Sequence, residues 1–534
     1  MKKIYSLAAM LAMATMAVYA QEPLRTLDTY AGAQLTTEDL NGTARYVGMG
    51  GAMEALGADI STINSNPAGI GLFRKSLLSG SLGVVMQEDG HSFHNGSTTN
   101  VSFDQLGIVF SSRTSKDSYL NFAFNFNKNR NFNYILFAEA DAVNGSSQMQ
   151  QTTVKGMLGT LDALRGGDKN YYGESQLDNL YWSNLLDDGN GGMYTYDGSE
   201  HYDFNRAHSG YIGEYDFNLS GNIHNRVYLG VTVGINSVHY QGYSEYYEVY
   251  NPNSHEYVKG GVLVSDDHKI TGTGFNVKAG IIFRPIAESP FRVGLSVSSP
   301  TWYKLTSKNY TKLGDVDFRA DDFKFRFDTP WKFGISAGHT IDNSLALGVS
   351  YEYADYSTND MRVIDGSYYD SWDGYYHEDS SSDPEMKNHT ERTLKGVSTL
   401  KLGAEYRIDK NVSVRVGYNY VSPMYNNDGV RDQNMVSPGV YTASTTDFTN
   451  WKSTNRLTAG VGFTFDNFRL DLAYQYSMRK GDFYPYMPYL SASYWAQDPN
   501  DPNSEIQEAL TNECKSVSVK DNRHQLLCTM TYTF

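Results

Sequence analysis

Apolar residues recur at every second position through about fourteen strand-sized segments, joined alternately by tight turns and long polar stretches. In one segment Leu120, Phe122, Phe124 and Phe126 alternate with Asn121, Ala123, Asn125 and Asn127. In a second, Val227, Leu229, Val231, Val233 and Ile235 alternate with Tyr228, Gly230, Thr232, Gly234 and Asn236. A third sets Phe275, Val277, Ala279, Ile281 and Phe283 against Asn276, Lys278, Gly280 and Ile282. Successive strand side chains point to opposite faces, so each segment has one face fit for lipid and one fit for a wetter, glycine-thinned interior. An even number of such strands, each of roughly 9–11 residues, is what a closed transmembrane antiparallel β-barrel requires. The pattern predicts an all-β fold of this kind.

Connection length alternates as well. Short turns at 221–226, 287–290, 342–343, 409–411 and 466–467 carry the Gly, Asn and Asp that turn geometry favours. The long connections fall at 133–209, 237–269, 355–393, 421–452 and 481–520, which puts all of them on the opposite, extracellular side. The turn around Lys410 predicts a register: Glu405 opposite Arg415, Gly403 opposite Gly417 and Lys401 opposite Asn419, all facing the lumen.

Composition agrees with this reading. The mean hydropathy is −0.48, and beyond the leader no apolar run approaches the ~18 residues of a helical span. The 42 tyrosines suit aromatic girdles at the two membrane interfaces. The net charge of −16 gathers in the long connections and argues against nucleic acid as a partner. Lys2 and Lys3 precede an apolar stretch from Ile4 to Val18, with small-residue cleavage expected between Ala20 and Gln21. The expected organisation is therefore a signal peptide at 1–20, a hatch at 21–74 and a barrel at 75–534, placed in the outer membrane of a Gram-negative bacterium. Cys514 and Cys528 lie far apart along extended chain, so no disulfide is expected. The last strand carries Leu526, Cys528, Met530, Tyr532 and Phe534 on its outward phase. Ending on an aromatic residue in that phase resembles the signal by which the barrel-assembly machinery recognises its clients.

No catalytic constellation stands out. There is no Gly-x-Ser-x-Gly elbow, phosphate loop or His-Glu-x-x-His, and Asp187-Asp188-Gly189-Asn190 lacks calcium-loop spacing. The stretch Gly48–Asp59 has Met53 where a dinucleotide-binding loop needs its third glycine. The expectation is a monomer that is not an enzyme and uses no cofactor and no metal.

Residues 21–74 differ in kind: small residues and glycines dominate, and they run through Asn66-Pro67-Ala68-Gly69 directly into the first strand. A small-residue plug ending in Asn-Pro-Ala-Gly before an exported acidic barrel resembles the FadL-type long-chain fatty-acid and aromatic-hydrocarbon channels. Ser299-Pro300-Thr301-Trp302, Thr329-Pro330-Trp331 and Ser422-Pro423 are similar to that family's pattern as well. The resemblance implies a barrel of about 14 strands with an N-terminal hatch in its lumen. It also implies passive transport of hydrophobic small molecules, released sideways into outer-membrane lipid through a gap near Asn66, Pro67, Ala68 and Gly69. The plainer alternative makes Asn66-Pro67 only a rigid turn from plug to barrel.

The inward phase places Lys278, Lys401, Glu405, Arg415 and Arg469, with Asp471, toward the lumen. The cations among them suit a ligand carboxylate geometrically, or these charges satisfy one another and the plug. In the connection 133–209, Val154, Met157, Leu158, Leu161 and Leu164 fall at helical spacing, as do Leu177, Leu180, Tyr181 and Leu185. These faces either pack together as a cap or form an apolar landing groove. A different functional class, a surface-binding or adhesion barrel displaying tyrosine-rich loops such as Ser367–Tyr376, fits the same composition. A general hydrophilic porin fits less well, because a filled lumen leaves little water path.

Overall fold

The computed structural model describes residues 27–534, except 142–144, 148–198, 251–260, 432–445 and 498–504 and single positions at 315, 320, 321, 343, 373, 488 and 513. The expected cleavage site at Ala20 and Gln21, and the loop residues Met157, Leu158, Leu161, Leu177, Leu180 and Tyr181, lie outside the described residues.

Fourteen antiparallel strands close into one barrel. They are β1 (Leu77–Gln87), β2 (Thr99–Ser115), β3 (Ser118–Asn131, continued by Tyr134–Asp141), β4 (Ser199–Ile223), β5 (Val227–Tyr250), β6 (Gly261–Phe283) and β7 (Arg292–Ser298 and Trp302–Leu313). The ring continues through β8 (Phe323–Asp328 and Lys332–Ile341), β9 (Leu345–Asp355), β10 (Gly396–Arg407), β11 (Val412–Val421), β12 (Phe448–Phe465), β13 (Phe468–Tyr484) and β14 (Arg523–Thr533). β14 pairs with β13 on one side and β1 on the other, which closes the ring.

The dyad pattern resolves into faces as the sequence requires. Leu120, Phe122, Leu229, Val231, Phe275 and Val416 are exposed on the outside, while Asn121, Asn125, Asn218 and Asp471 are buried within. An apolar outer belt over a polar, occupied interior is what lipid demands of a spanning barrel, since a closed ladder leaves no backbone group unpaired in hydrocarbon. At the short ends Asn225, Asp342 and Asp466 adopt positive φ, a conformation their short polar side chains tolerate. Between β10 and β11, Glu405 faces Arg415, Gly403 faces Gly417 and Lys401 faces Asn419, the register expected from the turn.

The long connections are shorter than the sequence indicated. β4 begins at Ser199 and Tyr134–Asp141 is already strand within 133–209, and β5 and β6 run as one continuous ladder well into 237–269. The stretch 355–393 forms a hairpin (Asp360–Asp370 with Tyr375–Ser382) and a helix (Pro384–Thr393). In 421–452 and 481–520, β12 starts at Phe448 and β13 reaches Tyr484. Above the membrane polar and aromatic residues enter the outer face and aliphatic ones such as Val238, Val264 and Ile270 are buried inside, so the apolar-out alternation stops although the hydrogen-bond ladder does not. Both cysteines are free thiols.

Inside the ring lies the chain from Leu27 to Phe73, held in short capped pieces rather than in a sheet. Helix α1 (Thr29–Thr36) is capped by Asp28, whose carboxylate accepts the Ala31 N–H, and α2 (Ala44–Gly48) is capped by Thr43. Two 3₁₀ turns follow, Ile60–Ile63 capped by Asp59 and Pro67–Leu72 capped by Asn66. Proline at the first turn position needs no N–H there, and its fixed φ sets the bend.

Candidate functional site

The luminal charges read from the sequence all face inward, and every one of them is paired. Lys278 lies 2.8 Å from Glu214 and 3.2 Å from Asp216, and donates to Asn64 Oδ1 of the plug at 3.1 Å. Lys401 bridges Glu54 of the plug and Glu352 of the wall, each at 2.8 Å. Glu405 accepts a two-pronged bond from Arg45 of the plug, at 2.9 and 2.8 Å, and pairs with Arg415 at 2.5 Å. Arg415 and Arg469 share Asp471, at 2.7 and 2.6 Å. These residues join plug to wall. Burying ions is expensive unless they are matched and hydrogen-bonded, and here the wall supplies partners for Arg45, Glu54 and Asn64.

The Asn66–Gly69 turn is seated against β4–β7. Pro67 O accepts from Ser220 Oγ at 2.9 Å, and the Asn66 amide faces the carbonyls of Ile281 and Leu295 at 3.5 and 3.4 Å. Glycines make the approach possible. A Cβ on Gly230 would overlap the Pro67 carbonyl, and one on Gly280 would overlap Asn66 Oδ1. Ala68 is fully buried in this seat.

The wall is incomplete elsewhere, between β2 and β3. Their ladder runs from Ser115↔Ser118 only as far as Gln105↔Asn127. Beyond it, Thr99–Phe103 remain paired with β1, and among the described residues no strand partners them on the β3 side. A bulge at Asn129 and a break at Phe132–Asn133 turn β3 inward, and its continuation buries Tyr134, Ile135 and Leu136. Val101, at the lip on the lipid side, is 81 % exposed.

The plug closes this breach from inside. The Asp39 N–H donates to Asn129 O at 2.8 Å, and Asp39 Oδ2 accepts the Asn131 N–H at 2.9 Å. The Asn41 amide donates to Lys128 O at 3.0 Å and to Asp104 Oδ1 at 2.9 Å, which spans the gap from β3 to β2. Segment 39–41 thus takes the place of an absent stretch of strand.

A cavity of about 170 Å³ lies beside this segment, lined by Asp39, Asn41, Arg130, Arg456, Arg479 and Arg523 among others. A second, also of about 170 Å³, lies around α1 at the extracellular mouth and is bordered by Tyr240, Phe323, Tyr425, Phe448 and Trp451. Arg130, Arg479 and Arg523 border both cavities. Here α1 is tied by Asp28–Arg431 at 2.5 Å, while Arg206 holds Asp447 through two bonds of 2.7 Å. These groups sit above the membrane-spanning part of the strands. Burial pushes His268 down to about 4 and, helped by Arg206, pushes His208 well below its ordinary value. Burial opposes ionisation of Asp28, yet the adjacent Arg431 holds its carboxyl below the usual range.

The sequence reading did not single out the breach residues. Arg456, Arg479 and Arg523 stand on the inward phase of their strands, so that signal was present. Arg130 follows the bulge at Asn129, which breaks the phase, and Asp39 lies in a plug without periodicity.

No protein-family profile and no curated protein sequence matches the chain. Among solved structures it is similar to a Pseudomonas aeruginosa FadL homologue (TM-score 0.48, 10% identity, 93% of this chain and 99% of that one). It is also similar to the toluene transporter TbuX of Ralstonia pickettii (TM-score 0.45, 12% identity, 93% and 99%) and to the toluene transporter TodX of P. putida (TM-score 0.46, 12% identity, 93% and 99%).

Proposed function

We propose that this barrel is a passive outer-membrane channel for hydrophobic small molecules, which enter at the mouth and leave sideways through the breach between β2 and β3. The observation that carries this reading is the missing ladder above Gln105↔Asn127, spanned by plug residues 39–41 and by side-chain contacts such as Lys128 to Ser102 at 2.6 Å and Gln87 to Ile135 at 2.7 and 2.9 Å. A filled lumen blocks a straight water path, whereas a side opening delivers an apolar solute to lipid without crossing the plug. The two cavities between plug and wall, which share Arg130, Arg479 and Arg523 in their linings, give the solute a place to pause on the way. The Asn66–Gly69 motif serves in this reading as the fixed end about which the rest of the plug shifts.

The test is uptake of a radiolabelled alkylbenzene and a radiolabelled long-chain fatty acid by cells carrying the protein in an intact lipopolysaccharide-containing outer membrane. Faster uptake of either than in cells lacking the protein is the expected result. Equal uptake of both overturns the reading.

One observation favours a second role in surface binding. The hairpin Asp360–Asp370 with Tyr375–Ser382 projects Tyr368, Tyr369, Trp372, Tyr375 and Tyr376, with Trp372 95% exposed. Exposed aromatic groups of this density are interaction surfaces more often than accidents. Deleting the hairpin should then abolish adhesion of cells to a ligand-coated surface while leaving uptake intact.

A further inference from the structure

We propose that the turn end of the barrel, beside the seat of the Asn66–Gly69 motif, binds the phosphate head group of an anionic phospholipid through Arg74, Arg226 and Arg284, with Arg292 behind them. The site is independent of what the lumen carries.

The first observation is that these four arginines bond only to neutral groups. Arg74 donates to Asn225 Oδ1 at 3.0 Å, and Arg226 to the Pro285 carbonyl at 2.8 Å. Arg284 donates to the carbonyls of Ser289 and Ala287, both at 2.6 Å, and Arg292 to that of Leu56 in the plug at 2.9 Å. The arginines of the ionic belt behave otherwise: Arg45, Arg415 and Arg469 each hold a carboxylate within 2.8 Å. Carbonyl bonds orient a guanidinium group without neutralising it, and its planar fork matches phosphate oxygens two at a time.

The second observation is that the four lie together. The Arg284 N–H donates to Arg226 O at 2.8 Å, and Asn225, which holds Arg74, precedes Arg226 in the β4–β5 turn. Arg74 and Arg284 are near enough for their charges to act on Arg292, on which no carboxylate acts. The Arg292 Nε is buried without a hydrogen-bond partner among the described residues. Two carboxylates stand nearby: Asp117 faces the Asn225 amide at 3.4 Å, and Glu288 is exposed in the β6–β7 turn. Four positive charges therefore meet two negative ones. Across the ring the balance reverses, with Arg407 and Lys410 against Asp342, Asp409 and Asp466 in the turns after β8, β10 and β12. Like charges gathered in this way repel one another until an anion completes the group.

The third observation selects the source of that anion. Arg74 and Arg226 are exposed, and so are Ile223, Phe283 and Ile286, which end β4 and β6 and enter the following turn on the outer side. A phosphate held by these guanidinium groups has acyl chains laid along the apolar belt, whereas a free phosphate ion uses the polar part alone. Arg74 follows the plug's last turn, Pro67–Leu72, while Arg226, Arg284 and Arg292 belong to the wall. One bound phosphate thus pins the exit of the plug to β4–β7.

The experiment is native mass spectrometry of the full-length protein in detergent micelles, with phosphatidylglycerol or phosphatidylcholine of identical acyl chains added. Phosphatidylglycerol should bind about tenfold more tightly, since each arginine at a membrane surface is worth roughly a fivefold gain for an anionic lipid. Arg226→Gln combined with Arg284→Gln should erase the preference, Arg74→Gln should reduce it about fivefold, and Lys410→Gln across the ring should leave it unchanged. Equal binding of the two lipids by the unaltered protein overturns the site. A preference that survives in heat-modifiable Arg226→Gln, Arg284→Gln barrels also overturns it, and if those do not assemble, one that survives Arg74→Gln does. Displacement of phosphatidylglycerol by an equal concentration of glycerol 1-phosphate means a free-anion site and overturns the lipid assignment. None of these readouts involves uptake, so the site and the channel reading fail separately.

Discussion

The plug meets the wall in two contrasting ways. Along β4–β7 the contact is a matter of shape: Pro67 and Asn66 lie in a seat of glycines where an added methyl group would collide with backbone or amide atoms. Along β3 the contact is a matter of charge and borrowed hydrogen bonds, with Asp39 and Asn41 standing in for a strand. Shape contacts between rigid backbones have no competitor in solution. Ionic contacts do, because any anion can bid for the same guanidinium group. One end of the plug is therefore a mount and the other is exchangeable.

The largest effect should come from removing both contacts together. Deleting residues 21–68 should convert a closed barrel into one that conducts ions steadily in planar bilayers, and unchanged conductance would mean the plug does not seal the lumen. Next in size is the ionic belt between the two ends. Arg415→Met leaves Glu405 and Asp471 with one cation fewer in a buried setting, which should destabilise the folded barrel by about 3–5 kcal/mol. The temperature at which its electrophoretic mobility shifts reports this. Gly280→Val then attacks the seat alone. Overpacking of this kind costs about 1–3 kcal/mol, so the plug should be more readily clipped by protease near Asn66 while the barrel ladder holds.

The smallest effect concerns the mouth. His268 is neutral in the folded protein, held down to about 4, whereas the unfolded chain takes up its proton near the ordinary value of 6.5. Stability from this group is present above that value and is lost as pH falls from about 6.5 toward 4. His208 acts in the same direction. Hydrogen exchange in α1 should quicken by roughly 1 kcal/mol equivalent over that range, and His268→Gln should flatten the response. An exchange rate that ignores pH would separate the mouth from these histidines.

How much of this was legible depends on what each element answers to. The register of Glu405 with Arg415 could be read because a tight turn and a two-residue period leave a single in-phase pairing. The outward row ending at Phe534 was equally plain, with Leu526, Met530, Tyr532 and Phe534 all exposed. The mount could be suspected from its proline but not located, since its partners Gly230, Gly280 and Gly294 differ from other luminal glycines only through contacts across the lumen. The breach was invisible for a sharper reason. It is made by a bulge at Asn129 and a missing ladder, and a pattern of residues records which pairings are favourable, not which are left unmade. The upper halves of β4–β6 were read as loop because lipid imposes alternation only where there is lipid.

The seam where β1 meets β14 bears on how the molecule is made. Leu77↔Thr533 through Gln87↔Arg523 join the first strand to the last, and the Phe534 N–H reaches Ser76 O. The wall is thus an open sheet until β14 pairs with β1, while the glycine seat belongs to β4–β7, away from that seam. A seat too tight to be threaded can still be laid down upon. The plug can therefore serve as the mandrel around which the cylinder is rolled, and closure at the seam commits it there.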